Sequence, residues 1–367
     1  MSKKRKVLIL LCVVVVSLST AALFFGGAKR KAAPSVTASS NFESLMGQGT
    51  AKWQYVQTKQ DFENLAFFKT LYESKKLLLE QKNTNPKIPH LLHFIWLGPK
   101  PFPRESVENV RSWMGKNPDW RVKFWSDRER PLPSPGMELH LIQDFQFLAL
   151  QECYNKSDSY GEKSDLLRYE ILFQEGGVYA DHDVKCFRSF ADLNNAYDFY
   201  SGMDMPFKSS LPSCILPTNN LIGASPHHPI LKTCIDALKT KWDQIGSEYP
   251  GSARDEMLNR VLHRTFLLFG EAVMKANNLD GRQDIIFPAY YFDAPTENEA
   301  LWAYHFYSGK WFEEESKFEK MVRERLMTIT KKTNKLFLIV GVMSGLNLIG
   351  LCVLLFLFRK RKQNVTS

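Results

Sequence analysis

Asp181 and Asp183 are separated by one residue and directly follow the short apolar segment Val178-Tyr179-Ala180. Side chains two positions apart on a regular strand point in the same direction, so these two carboxylates could hold one cation together. Paired carboxylates that leave coordination positions open bind Mg²⁺ or Mn²⁺ against the phosphates of a substrate. This spacing therefore predicts phosphate chemistry at a divalent cation, with a nucleotide sugar as the leading class of substrate.

The residues before this pair predict the element that positions it. Residues 163–175 have the pattern of an amphipathic helix, Gly176-Gly177 breaks that helix, and the apolar segment then forms a strand. Carboxylates that follow a buried strand are costly unless they meet a cation or hydrogen-bond donors. His182, which points the other way, is predicted to be a packed residue rather than a ligand.

The rest of the chain alternates between strand-like and helix-like segments from residue 88 to about residue 312, which favours an α/β domain with a mostly parallel, twisted sheet. Open sheets of this kind bind ligands at the carboxyl ends of their strands. Trp96 ends one predicted strand and the Asp181–Asp183 pair ends another. The predicted strands are 91–96, 121–125, 178–180, 197–202, 220–224, 285–288 and 303–307; the other predicted helices are 58–81, 104–116, 138–153, 229–242 and 254–276.

The net charge of +9 depends on where the basic residues lie. Fourteen of the 48 Lys and Arg residues flank two apolar runs, at residues 7–25 and 336–358. The rest of the chain contains the other 34 basic residues and all 39 acidic residues. The remaining body is therefore mildly acidic, which argues against a nucleic-acid partner. The cysteines of the body have no CxxC spacing, which argues against a zinc site.

Both apolar runs are long enough to cross a membrane. A cleaved signal peptide is the alternative for residues 7–25, but its length favours an uncleaved signal-anchor. The basic clusters outside the runs slightly exceed those facing the body, which predicts cytosolic termini and a lumenal or periplasmic body. Gly341 and Gly345 form a small-xxx-small pair in the second span, which would permit a homo-oligomer there.

Six segments of the chain resemble those of one enzyme family. They are residues 88–98, IPHLLHFIWLG; residues 117–127, NPDWRVKFWSD; residues 164–169, SDLLRY; residues 176–183, GGVYADHD; residues 220–229, NLIGASPHHP; and residues 307–311, YSGKW. The family that they resemble is the DXD-containing sugar-binding glycosyltransferases, which includes the yeast-type initiating α-1,6-mannosyltransferases and the inositol-phosphoceramide mannosyltransferases, and more distantly the large clostridial glucosylating toxins. The resemblance covers about residues 86–318 and implies a single GT-A-type catalytic domain.

The resemblance also implies a role for each matching residue. Asp183 would be the direct metal ligand, and Asp181 would bridge the metal, the ribose and the donor sugar. Asp165 and Arg168, three apart on one helical face, would hold the sugar hydroxyls, whereas without the resemblance they predict a local salt bridge. The remaining implied contacts are Trp96 stacked on the base, Ser308 and Trp311 closing over the diphosphate, and His305 as a further metal or phosphate contact.

Together these features divide the chain into eight parts. They are a basic tail (1–6), a membrane-spanning signal-anchor (7–25), a stem (26–57), a helical segment (58–85), the catalytic domain (86–318), a juxtamembrane segment (319–335), a second span (336–358) and a basic tail (359–367). Two transmembrane helices would therefore flank the catalytic domain.

The expected function is that of a membrane-bound, metal-dependent, retaining glycosyltransferase that uses Mn²⁺ or Mg²⁺ and a nucleotide sugar. GDP-mannose is the expected donor and a UDP-hexose the alternative. The expected acceptor is a glycolipid such as inositol phosphoceramide, because the mannosyltransferases that use it share a span soon after the closing tryptophan segment; a glycan is the alternative. This function fits sphingolipid glycosylation in a Golgi or ER-type membrane with a lumenal catalytic domain, or else a bacterial inner membrane.

Two other classes of function are compatible with the same residues. One is a catalytically silent membrane scaffold that retains the fold, although the presence of Asp165, Arg168, Asp181 and Asp183 argues against it. The other is a toxin-like transferase that glucosylates a partner protein from UDP-glucose, which the two predicted spans disfavour.

Overall fold

A seven-stranded sheet forms the centre of the protein. The computed structural model describes residues 40–81 and 83–309, which all fall within one compact unit. The strands of the large sheet follow the order β3-β2-β1-β4-β7-β6-β8, and β7 alone runs antiparallel to its neighbours. The predicted α/β class with a mostly parallel sheet is confirmed. The strands are β1 (Leu91–Trp96), β2 (Arg121–Ser126), β3 (Glu138–Leu141), β4 (Gly177–Ala180), β5 (Val184–Cys186), β6 (Phe199–Met203), β7 (Pro217–Ala224), β8 (Asp284–Phe287) and β9 (Ala303–His305).

Helices cover the sheet and connect its strands. The α-helices are α1 (Phe42–Leu45), α2 (Lys59–Lys75), α3 (Arg104–Lys116), α4 (Gln151–Lys156), α5 (Tyr160–Glu175), α6 (Ala191–Ala196), α7 (Pro229–Glu248), α8 (Arg254–Val261) and α9 (Leu268–Ala276). A π-helical turn, Leu262–Leu267, joins α8 to α9, and 3₁₀ turns lie at Ala51–Tyr55, Lys76–Glu80, Ile142–Asp144, Leu279–Gly281, Ala289–Tyr291 and Glu297–Glu299. The predicted long helix over residues 254–276 therefore contains one wider turn.

The start and end of α5 are determined by local chemistry. The Ser159 side chain accepts a hydrogen bond from the Glu162 amide and caps the first turn. At the other end, Gly176 and Gly177 have positive φ values of 66° and 97°. A Cβ on Gly177 would lie 2.6 Å from the Leu91 carbonyl oxygen, so only glycine permits this close turn into β4.

A second, two-stranded sheet brings a late part of the chain to the end of β4. β5 pairs antiparallel with β9, and Val184 lies opposite His305. Because β5 begins immediately after Asp183, this pairing places His305 beside the two acidic residues. The second sheet therefore assembles a site from segments more than one hundred residues apart in sequence.

The prediction of a helix over residues 138–153 is wrong. Residues Glu138–Leu141 instead form β3, which pairs parallel with β2; a 3₁₀ turn follows at Ile142–Asp144, and the α-helix begins only at Gln151. The buried Glu170 carboxylate accepts hydrogen bonds from the backbone amides of residues 148, 149 and 150, which fixes the bend of the chain before α4. Tertiary contacts have overridden the helical pattern here.

The predicted stem, residues 26–57, differs from the structure over its second half. Phe42, Leu45 and Met46 are fully buried in the main core, and Glu43 pairs with Lys69 of α2 at 2.6 Å. This segment packs against the body because its apolar residues fill a gap beside α2. The predicted strand 303–307 is also shorter than expected, since β9 ends at residue 305.

The predicted spans at residues 7–25 and 336–358 lie outside the described residues, as do Trp311 and the glycine pair of the second span. Across residues 40–81 and 83–309, no helix has the length and apolar character needed to cross a membrane.

Candidate active site

Asp181, Asp183 and His305 meet where β4 leaves the large sheet. One potential ligand atom from each residue lies within 4.8 Å of the other two. The two acidic residues follow the strand, as predicted, but they occupy a tight turn, closed by a hydrogen bond of 3.0 Å from the Val184 amide to the Asp181 carbonyl, and do not have regular strand geometry. The turn produces the predicted convergence by a different backbone path.

Asp183 is held in its ionised form by donors on the closing segment. Its Oδ1 lies 3.3 Å from His305 Nε2, and its Oδ2 accepts a hydrogen bond of 2.7 Å from the Ser308 amide. Burial alone would raise the pKa of Asp183, but the hydrogen bond and charge of His305, together with the Ser308 amide, hold that pKa well below its ordinary range.

The carboxylates around His305 favour the positively charged form of its imidazole. Its Nε2 lies 3.3 Å from Asp183 and 3.9 Å from Asp181, and its Nδ1 lies 3.5 Å from Asp293. Burial lowers the pKa of His305, yet the nearby carboxylates Asp183 and Asp293 outweigh burial and raise it well above the ordinary value. A turn with this electrostatic character is suited to a cation.

Asp165 and Arg168 form a second group on α5 that reaches the same turn. Arg168 Nη2 lies 2.7 Å from Asp165 Oδ1 and 3.3 Å from Asp181 Oδ1, and its Nη1 donates to the Asn219 carbonyl at 2.7 Å. The local helix salt bridge is thus present, but it also joins the DXD turn. Burial raises the pKa of Asp165 to about 6, although Arg168 and a hydrogen bond from Thr265 act in the opposite direction.

Several neighbours of this group were not predicted from the sequence. The Tyr179 hydroxyl donates to Asp181 Oδ1, and the Arg168 guanidinium lies over the Tyr179 ring at 4.2 Å from its centroid. Thr265, in the π-helical turn, donates to Asp165 Oδ2 at 2.5 Å. Tyr179 lies within the motif that resembles the family, but no sequence signal connects residue 265 to residue 165.

Trp96 ends β1 as predicted, but most of its surface is already in contact with protein. Its side chain is 5% exposed, and its Nε1 donates to the Lys100 carbonyl at 2.9 Å. Its ring packs edge-on against Phe102 and against His182, with centroid distances of 5.7 and 4.8 Å. His182 is packed, as predicted, whereas stacking of Trp96 on a base remains a prediction.

Of the two predicted closing residues, Ser308 lies beside Asp183 through its amide, and Trp311 lies outside the described residues. Tyr307, between His305 and Ser308, was not predicted to contribute. Its φ of 50° is unusual for an aromatic residue, and its ring packs on His305 at a centroid distance of 4.0 Å. This backbone turn allows the Ser308 amide to face Asp183.

The residues of the turn fit a divalent cation. Two carboxylates and an imidazole are a ligand set that suits Mn²⁺, and a Mg²⁺ ion would use the carboxylates. Four buried polar atoms around them also have no hydrogen-bond partner, as expected where a polar ligand completes the site: Arg168 Nε, Ser308 Oγ, Asn220 Oδ1 and Asp293 Oδ2.

The same turn lies inside a segment of known type. Residues 103–200 match the model of the glycosyltransferase sugar-binding region containing the DXD motif, and Asp181-His182-Asp183 is that motif here. This segment is a DXD sugar-binding region. The family resemblance stated from the sequence motifs is therefore confirmed.

Two curated relatives are similar to part of the chain. "Subversion of eukaryotic traffic protein A" of Legionella pneumophila is 27% identical over 181 residues, which are 45% of this chain and 27% of that protein. "Inositol phosphoceramide mannosyltransferase 3" of Schizosaccharomyces pombe is 28% identical over 149 residues, which are 41% of this chain and 36% of that protein. The chain thus spans only about a quarter to a third of the length of these relatives.

Among solved structures, the chain is similar to the catalytic domain of alpha-toxin from Clostridium novyi. The two are 10% identical, and the similarity covers 83% of this chain and 94% of that chain with a TM-score of 0.43.

Proposed function

We propose that the protein transfers a hexose from a nucleotide sugar to a lipid or glycan acceptor, with a divalent cation held by Asp181, Asp183 and His305. The observation that carries the proposal is the junction of two groups at one turn. The turn is suited to a cation, and Arg168 links it at 3.3 Å to Asp165, which would hold sugar hydroxyls. A diphosphate at the turn would thus place its sugar towards α5.

The chain's own residues supply binding, orientation and charge. The cation, when bound, supplies Lewis-acid stabilisation of the charge that builds up on the leaving nucleotide. The Asp165 carboxylate would accept hydrogen bonds from the sugar, and the free Nε of Arg168 would donate one. The Ser308 amide fixes the Asp183 carboxylate, while Tyr179 and Arg168 fix Asp181, so the ligands are oriented before the substrate arrives.

We further propose mannose from GDP-mannose as the transferred sugar, Mn²⁺ as the cation and inositol phosphoceramide as the acceptor. Support comes from the named activity of the fission-yeast relative and from the two apolar runs of the sequence, which would hold the body at a membrane. The proposed location is a Golgi or ER-type membrane with the body in the lumen. Tags at Ser367 and within the stem would test the orientation by their accessibility to protease in sealed vesicles.

The test of the function is a donor screen with the full-length chain in membranes. GDP-mannose, UDP-glucose and other nucleotide sugars are supplied with Mn²⁺, and lipid extracts and protein glycans are read by mass. A hexose added to an inositol phospholipid supports the proposal. Transfer only from UDP-glucose to protein would favour the toxin-like alternative. If every donor is neither transferred nor hydrolysed, the result would favour the scaffold. Asp183→Asn is the inactive control.

A further inference from the structure

Asp293 lies behind His305, on the side of the imidazole that faces away from the DXD turn. The Nε2 of the imidazole is 3.3 Å from Asp183, whereas its Nδ1 is 3.5 Å from Asp293 Oδ1. Asp293 is 1% exposed and follows the 3₁₀ turn Ala289–Tyr291, more than one hundred residues after the DXD motif. It therefore faces the imidazole without reaching the cation site itself.

The surroundings of Asp293 leave room for one more hydrogen bond. Its Oδ1 accepts from Asn220 Nδ2 at 3.0 Å and from the Tyr307 hydroxyl at 2.9 Å, while its Oδ2 has no hydrogen-bond partner. A buried carboxylate oxygen without a donor is costly. Asp293 can thus accept a further N–H, and His305 Nδ1 faces this carboxylate at 3.5 Å from its Oδ1.

We propose that Asp293 is a positioning residue for the cation site: it accepts the Nδ1–H of His305 and so leaves Nε2 free to bind the cation beside Asp181 and Asp183. An imidazole nitrogen that binds a metal carries no proton, so the ring proton of a neutral His305 would sit on Nδ1. Metal-binding histidines usually give that proton to a carboxylate or a carbonyl, which fixes the ring and raises its basicity. This inference rests on the proposed function, since it assumes that the DXD turn binds a divalent cation.

In its observed orientation, the Asn220 side chain does not accept the Nδ1–H of His305. Its amide nitrogen, a donor, lies 2.7 Å from His305 Nδ1 and donates to Asp293 as well. When the imidazole proton occupies Nδ1, two donors face each other there, and a small rotation of the ring from Asn220 towards Asp293 relieves that contact. The carboxylate is thus the acceptor that the site offers on this side.

Asp204 provides a matched control because it shares a partner with Asp293. The Tyr307 hydroxyl lies 2.7 Å from Asp204 Oδ1 and 2.9 Å from Asp293 Oδ1, and Asp204 is also buried, at 8% exposed. Its other hydrogen-bond partner is Thr218, and it interacts with His305 through charge alone. An effect transmitted through Tyr307 or through the charge of His305 would therefore appear in variants of either residue, whereas loss of a hydrogen-bond acceptor for the imidazole would appear only in variants of Asp293.

The experiment measures Mn²⁺ binding to the full-length chain in detergent, without donor, by the electron paramagnetic resonance signal of free Mn²⁺. Asp293→Asn is expected to weaken binding about 10- to 100-fold, the usual cost of losing a carboxylate behind a metal-binding histidine. Asp204→Asn is expected to stay within about twofold of the unaltered protein, because it leaves the acceptor of the imidazole in place. In the His305→Ala background, Asp293→Asn is expected to cause no further loss, because its effect passes through the imidazole.

Three results would overturn the inference: unchanged affinity in Asp293→Asn, an equal loss in Asp204→Asn, or a further loss of similar size in the His305→Ala background. Failure of the unaltered protein to bind Mn²⁺ would instead remove the proposed function, and this inference with it. Should Asp293→Asn fail to fold, ¹⁵N-histidine spectra of the unaltered protein with Zn²⁺, a diamagnetic cation that binds imidazole, decide: a proton on His305 Nδ1 supports the inference and a proton on Nε2 contradicts it.

Discussion

The two halves of the site hold their carboxylates in opposite electrostatic states. On the α5 side, burial raises the pKa of Asp165 to about 6 even though Arg168 lies 2.7 Å away. On the turn side, burial acts on Asp183 in the same direction, yet the pKa of Asp183 lies well below its ordinary range because His305 and the Ser308 amide outweigh burial. Both carboxylates are buried and each meets two donors, so the neighbouring charges make the difference: Asp181 and Glu162 raise the pKa of Asp165, whereas His305 and His182 lower the pKa of Asp183.

Arg168 explains why the α5 side is less fully ionised. Its guanidinium is divided between Asp165, Asp181 and the Asn219 carbonyl, so no single acceptor has its full charge. The charge of His305 is also shared, with Asp181 and Asp293, but Asp183 is its nearest carboxylate contact, at 3.3 Å, and accepts a backbone amide as well. The turn is built to stay anionic for a cation, whereas the α5 side can still gain or lose a proton near neutral pH.

Removing the charge on the turn side is expected to have the largest effect. Asp183→Asn should lower transfer by about 10³-fold, because the cation would lose its direct carboxylate ligand and the several kcal/mol of charge stabilisation that it supplies. Initial rates of sugar transfer from GDP-mannose, with Mn²⁺ saturating for the unaltered protein, measure the change.

Thermal unfolding of the metal-free variant is the control for Asp183→Asn. Removing one partner of the buried Asp183–His305 pair should lower its stability, so both proteins are assayed at a temperature at which they are folded. A variant that keeps more than a tenth of the activity, or one that loses activity only because it unfolds, would contradict the assignment of Asp183 as a ligand.

A change on the α5 side is expected to cost less. Arg168→Lys keeps the charge, but an ammonium group cannot contact Asp165, Asp181 and the Asn219 carbonyl in one planar arrangement. Activity should fall about 10²-fold through weaker orientation of the sugar, with Mn²⁺ affinity nearly unchanged. Parallel transfer rates and Mn²⁺ titrations test this; a large loss of Mn²⁺ affinity would mean that the two halves are not separable.

The same contrast explains which parts of the site could be predicted from the sequence. Asp165 and Arg168 are three apart on one helix, and Asp181 and Asp183 are two apart beside a glycine break, so local spacing predicted both pairs. Local pattern likewise predicted β1 (Leu91–Trp96) and α3 (Arg104–Lys116) with the bounds found in the structure.

Local spacing in the sequence could not predict the contacts between segments that are far apart in the chain. Thr265 reaches Asp165 from the π-helical turn, and Asp293 lies beside His305 because the His305 amide donates to the Phe292 carbonyl at 3.1 Å. The helix prediction for residues 138–153 is wrong for a related reason. The pairing of this segment with β2 depends on a partner strand that its own sequence pattern does not reveal. His305 was expected at the site only through the family resemblance.

The pH dependence should separate the two halves further. The unfolded pKa of Asp165 is about 3.9, and its folded pKa is about 6, so the folded state binds the proton more tightly. The contribution of Asp165 to the free energy of unfolding is therefore greatest below pH 4 and is lost, by about 3 kcal/mol, as pH rises to 6. Donor binding should change in the opposite sense and rise about tenfold between pH 5 and pH 7 as the carboxylate ionises.

Calorimetric donor titrations and denaturant unfolding of the full-length chain, each at several pH values, measure these two trends. In Asp165→Asn, donor affinity and the free energy of unfolding should both depend less on pH between pH 4 and pH 7, because no proton is exchanged at that position. Trends that persist in this variant would assign them to another group and would leave Asp165 ionised throughout.

The smallest expected effect concerns the hydroxyl that links α5 to the π-helical turn. Thr265→Val keeps the shape of the side chain but removes the donor to Asp165 Oδ2. Loss of this donor should raise the pKa of Asp165 further, move the midpoint of donor binding to higher pH, and cost about 1 kcal/mol of stability. Donor affinity should then fall a few-fold at pH 6 and recover at pH 8, whereas Mn²⁺ affinity should not change. A uniform loss at both pH values would instead mean that Thr265 supports the backbone of the site, and that the charge of Asp165 is fixed by Arg168 alone.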